Sequence, residues 1–190
     1  MSYFAFSNSA AVPTTDPITS GSQESTKVAI LEAPAQKDLP RYTVHATAYN
    51  AVPAQTDGNP MITASGAYSN PEVVAARSRD LAAELPFGTV IALERTGGDS
   101  STCGFGKVEH LIGYRVIADT MHARMTNKID VLLDQHDTVA LNGKEYNPGI
   151  VFGVCDEVTI RVVGKVDIKD IPSTQAELQE LFAGNQLALR

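Results

Sequence analysis

The sequence predicts a mainly β protein built around a small closed barrel, and three observations carry that prediction. Six short runs alternate or are rich in β-branched and aromatic residues, their connections are dense in turn formers, and helical periodicity is confined to a few short segments. Left as an open sheet, such strands would expose two pairing edges. Closure removes them.

The first run is "RYTVHATAY", where the texture changes at Arg41 from Ser, Thr, Ala and Pro to an alternating run rich in β-formers. The others are "VVAAR" from Val73, "TVIALE" from Thr89, "YRVIAD" from Tyr114, "KIDVLLD" from Lys128 and "EVTIRVVGKV" from Glu157. Among the helices, "SRDLAAEL" has Ser78 as N-cap and a stop before Pro86, and "HDTVAL" is a second short candidate. A third, "STQAELQELFAG", has Ser173 or Thr174 as cap, Leu178, Leu181 and Phe182 on one face, and Gly184 as stop. It is expected to pack on the outside of the barrel. Residues 1–40 read as a flexible leader, 41–166 as the barrel domain and 167–190 as a helical tail. The connections "TGGDSSTCGFGKVEH" and "NGKEYNPG" read as long loops expected to shape the rim of a cleft.

Composition excludes several function classes. At 190 residues the chain suits one domain with tails. With a net charge of −7 and a pI of about 5.0 it has no basic footprint for nucleic acid or anionic lipid. It has no run of about 18 apolar residues that would span a membrane. The opening "MSYFAFSNSAAVPTT" lacks the basic n-region of a signal peptide. Cys103 and Cys155 belong to no CxxC unit, so neither a zinc ribbon nor a thioredoxin-type motif is supported. One disulfide in an oxidising compartment and two free buried thiols both fit, the free thiols being the plainer reading.

Candidate chemistry narrows to carboxylates. Ser65 in "TASGA" lies outside any GxSxG elbow. His45, His110, His122 and His136 show no HxxxH or HxH spacing, and "DQHD" reads as a solvated loop, so no metal site is expected. "TGGDSS" lacks the Lys-Ser/Thr pair of a phosphate-binding loop and reads as a surface turn. Asp130, by contrast, lies inside the apolar strand "KIDVLLD", where an aspartate must be hydrogen-bonded, paired or protonated. Asp119 ends "YRVIAD" and should emerge at a barrel end. Two such carboxyls brought close would raise the pKa of at least one and supply a general acid. The structural alternative is that Asp119 caps the following turn while Asp130 pairs with Arg124 or Lys128.

At these residues the sequence resembles the 3D domain family, named for three aspartates. This family is a double-psi β-barrel related to the catalytic domain of membrane-bound lytic transglycosylase A and to stationary-phase muralytic proteins. The resemblance runs from about Tyr42 to Val163 through "TAY", "ITASG", "SRDLAAELPFGT", "ADTMHARMTNKIDV" and "FGVCDEVTIRVV", in the family's order. By position it makes Asp80, Asp119 and Asp130 the three aspartates. It implies cleavage of the β-1,4 bond between N-acetylmuramic acid and N-acetylglucosamine without water, leaving a 1,6-anhydromuramyl end.

Asp130 is the expected acid/base, Asp119 its orienting or charge-stabilising partner, and Asp80 the holder of the hydrogen-bond network. Thr47, Tyr49, Thr120 and Asn127 are expected to line the cleft. The implied partner is peptidoglycan in the bacterial envelope, with no cofactor. Where some muralytic members carry a basic residue, two positions before the second aspartate, this chain has Ile117. His122, Arg124 and Met125 likewise stand in place of smaller residues or a different loop pattern. A non-catalytic glycan-binding or wall-interaction module on the same barrel is the alternative function.

Overall fold

The computed structural model describes residues 39–56, 58–95 and 103–187. The expected leader and the "TGGDSS" turn lie outside these residues, apart from Leu39 and Pro40. The strands are β1 (Arg41–Tyr49), β2 (Val74–Arg77), β3 (Thr89–Arg95), β4 (Tyr114–Thr120), β5 (Lys128–Leu132), β6 (Val139–Leu141), β7 (Lys144–Tyr146) and β8 (Cys155–Lys165). Helices α1 (Phe105–Ile112), α2 (Pro148–Phe152) and α3 (Gln175–Leu187) lie between and after them.

Six strands close a mixed barrel in the order β1-β5-β2-β4-β3-β8, and they are the six read from the sequence. The wall is buried on both sides. Within β2, Ala75 belongs to an apolar cluster containing Phe105, Val108 and Ile112 of α1, whereas Val74 and Ala76 belong to a second containing Leu178 and Phe182 of α3. That two-sided burial explains why "VVAA" is a continuous apolar run instead of an alternating one.

Helix α3 packs on the barrel through Leu178 and Phe182, whose ring occupies the space where a side chain on Gly164 would sit. Its start is a capping box: Glu177 accepts from the Ser173 and Thr174 amides at 2.9 and 3.1 Å, and Thr174 Oγ1 accepts from the Glu177 amide. Leu181, expected on the packed face, is instead 60% exposed, and the helix runs through Gly184 to Leu187. A single glycine costs a helix only about 1 kcal/mol, so it does not by itself stop one. Leu178 is fully buried, so Leu178→Ala is expected to cost about 2–3 kcal/mol in chemical denaturation.

The other helix expectations need revision. "SRDLAAEL" makes only a short 3-10 turn at Arg79–Ala82, and Ser78 does not cap it. Its hydroxyl accepts from the Lys128 amide at 3.0 Å instead, tying the turn to β5. "HDTVAL" becomes an Asp134-centred turn followed by β6, which pairs with β7 across Asn142 and Gly143, both at positive φ. This is the two-residue hairpin that an Asn-Gly pair favours.

The two presumed long loops hold structure: the first contains most of α1 and the second contains β7 and the start of α2. Gly104 is where α1 begins, and a Cβ there would come within 1.8 Å of the Val151 carbonyl oxygen. Cys103 and Cys155 form a disulfide with Cα atoms 5.1 Å apart, so the free-thiol reading is corrected. It fastens the start of α1 to the start of β8.

Candidate functional site

Local pairing builds the site in one row across the barrel wall. Thr47 on β1 is opposite Asp130 on β5, Asp130 is opposite Ala76 on β2, and Ala76 is opposite Asp119 on β4. Residues paired directly across a sheet share a face. The two aspartates therefore flank the small Ala76 side chain, their Cα atoms two strand spacings or roughly 9–10 Å apart.

A bulge sets this register. Ala75 pairs with Ile117 but Ala76 pairs with Asp119, so Ala118 is an additional residue on β4. Strict alternation would leave Asp119 on the Ile117 face, and the bulge turns it to that of Ala76. The sequence contains no Gly or Pro to announce this, so simple period-2 counting misses it.

The hydrogen bonds define different environments for the two carboxyls. Asp130 Oδ1 accepts from Thr47 Oγ1 at 2.7 Å. Burial pushes the Asp130 carboxyl up to about 6, opposed by the Thr47 hydrogen bond and Lys128 and reinforced by Asp119. Asp119 accepts three bonds: Tyr49 OH at 2.9 Å, the Ala64 amide at 2.9 Å and its neighbour Thr120's amide at 2.8 Å. Burial, with Asp119 beside it, pushes the Tyr49 phenol far above its ordinary value, so Tyr49 stays a neutral donor.

Asp119 thus does bond the backbone after it, as the structural alternative expected. Asp130 joins neither Arg124 nor Lys128 in an ion pair among the described residues.

Above this row is an open groove of about 920 Å³ lined by Tyr49, Ala76, Asp119, Thr120 and Asp130 among others. Its walls come from the segments around residues 54–69, 77–87 and 119–125. The loops at "TGGDSSTCGFGKVEH" and "NGKEYNPG" contribute no described residue to it, contrary to expectation.

Three predicted residues, Asp80, Asn127 and Thr47, do not line the groove. Asp80 is exposed, and its Oδ2 accepts from the Asn127 amide at 2.8 Å. Bonds from the Ser78 hydroxyl and that amide hold its carboxyl below the usual range. Asn127 contributes its backbone, at φ 49°, to this link and to the His45 amide. Thr47, likewise absent from the groove lining, reaches it through Asp130.

Three contributors escaped the sequence reading: Ala76, the Ala64 amide and Arg115. Arg115 is fully buried, donating to the carbonyls of Leu111, Ile112, Pro71, Val74 and Leu132, and burial pushes it down to about 9. It ties the end of α1 to β2 and β5. Among the described residues no three His, Cys, Asp or Glu side chains gather as a metal site, and no helix is long and apolar enough to cross a membrane. Compared with known proteins, the chain matches no family model and no curated sequence.

Proposed function

We propose that the protein is a lytic transglycosylase of the bacterial cell envelope. It would cleave the β-1,4 bond between N-acetylmuramic acid and N-acetylglucosamine of peptidoglycan and leave a 1,6-anhydromuramyl end. One observation carries the reading: Asp130, a carboxyl pushed up to about 6, and Asp119, held as an acceptor by three donors, flank Ala76 on the floor of one open groove. The motif resemblance to the 3D domain family supports the same chemistry.

The division of labour follows from the two environments. Protonated Asp130 gives its proton to the glycosidic oxygen as that bond to the muramyl C1 breaks. Positive charge develops on the sugar, and Asp119, oriented by Tyr49, stabilises it. The Asp130 carboxylate then takes the proton of the muramyl 6-hydroxyl while its oxygen bonds C1, which restores the acid. Neither water nor a cofactor enters. Asp80 acts at a distance, by fastening the loop that carries Asn127.

The disulfide supports an oxidising compartment, as the envelope location requires. The direct test is digestion of purified sacculi with mass analysis of the products. Anhydromuropeptides are expected. Sacculus binding with no product would favour the glycan-binding alternative.

The pH dependence follows from the same acid. Because the reacting form of Asp130 is protonated, kcat/KM should fall about tenfold per pH unit above about pH 6. Thr47→Val removes the hydrogen bond that favours the ionised form, so the alkaline limb should move to higher pH. An unchanged limb in that variant would detach Asp130 from the rate.

A further inference from the structure

The groove also carries cations that the cleavage chemistry does not use. Arg77, Arg79 and Arg124 all line it, although the chain as a whole is at −7. Arg77 is committed: it is buried, donates to the carbonyls of Leu85 and Ser78, and lies 5.0 Å above the Phe87 ring. Arg79 and Arg124 are exposed, and neither forms an ion pair among the described residues.

Their placement is built into the fold. The 121–127 loop is pinned at its start by the Met121 amide donating to the Arg77 carbonyl at 2.9 Å. At its end the Asn127 carbonyl accepts from the His45 amide and the Asn127 amide donates to Asp80. Within it the Arg124 amide donates to His122 Nδ1 at 3.3 Å. Asp80 belongs to the 3-10 turn that carries Arg79, so one hydrogen bond joins the segments bearing the two arginines. The Asp80 carboxylate is occupied by that bond instead of by an arginine.

We propose that Arg79 and Arg124 form a carboxylate-recognition edge of the groove, so that it selects an acidic glycan bearing lactyl or peptide carboxylates over a neutral one. This rests on the glycan-cleavage reading and names the substrate class within it. An anionic chain approaching a protein of net charge −7 is repelled unless cations meet it locally. Guanidinium groups suit that task because they bind carboxylates in bidentate fashion. The same groove holds apolar surface, including Ile62, Met121 and Phe87, against which sugar rings can lie.

The test uses the full chain with Asp130→Asn, so that binding is measured without turnover. Calorimetry would compare soluble muramyl oligosaccharides, the same fragments with carboxyls amidated, and N-acetylglucosamine oligomers. The acidic fragments are expected to bind about tenfold or more tighter. Adding R79Q and R124Q should abolish that preference while leaving affinity for the neutral oligomers unchanged. R79K with R124K should restore part of it, and Lys144→Gln on the remote hairpin should do nothing.

A preference that survives R79Q with R124Q, equal affinity for all three ligands, or no binding at all would overturn the proposal. Failure of the cleavage reading is distinct: it would appear as selective binding by the unsubstituted protein without anhydro products.

Discussion

Asp130→Asn is expected to lower kcat on peptidoglycan by about 10²–10⁴-fold while the protein stays folded. An amide cannot deliver the proton to the glycosidic oxygen, yet its Oδ1 still accepts from Thr47, so the row across β1, β5, β2 and β4 is retained. Stability provides an independent check. The Asp130 folded pKa is raised from 3.8 to about 6, so its favourable contribution is present below about pH 4 and is lost as pH rises through 6. At pH 8 the native protein therefore bears the cost of an ionised, half-buried carboxylate, and the amide does not. The variant should be more stable than the parent at pH 8, by roughly 1–3 kcal/mol, and gain nothing at pH 3.5. Loss of activity together with a rise in melting temperature cannot come from unfolding.

Removing the disulfide should produce the largest loss of stability. The Cys103–Cys155 bond closes a span of 52 residues, for which chain entropy gives about 4 kcal/mol of stabilisation. Cys103→Ser with Cys155→Ser should lower the melting temperature by about 10–20 °C, and a reductant should do the same to the parent. Neither α1 nor α2 lines the groove, so turnover well below the transition should be little affected. A loss of activity in step with reduction, at a temperature where the fold persists, would place the disulfide closer to the site than this account does.

The barrel was legible because its signals are local. "RYTVHATAY", "YRVIAD" and "EVTIRVVGKV" are alternating or β-rich runs, and each forms a strand near where it was expected. Helix α1 was hidden because Gly104, Gly106 and Gly113 give its segment the composition of a loop. Its packed residues Phe105, Val108 and Ile112 nevertheless stand at i, i+3 and i+7, the signal that could have found it. The Asn142–Gly143 hairpin was likewise legible in principle, but a three-residue strand on either side carries little pattern.

The site was legible only in part. Asp130 stood out as a carboxyl within an apolar strand, and Asp119 as the end of another. That they flank Ala76 depends on strand order and on the Ala118 bulge, which are non-local. Asp80 was read with the others, and nothing local in its sequence distinguishes a carboxylate that fastens a loop from one that lines a groove. Arg115 looked like an ordinary strand residue, since its five carbonyl partners come from three separate stretches of the chain.

The most direct measurement is digestion of sacculi by the full-length protein in heavy-oxygen water, with mass analysis of the new glycan ends. Internal attack by the 6-hydroxyl predicts anhydromuramyl ends that carry no heavy oxygen. Reducing ends labelled at the cleaved position, or intact sacculi after incubation with folded protein, would contradict transglycosylation by Asp130.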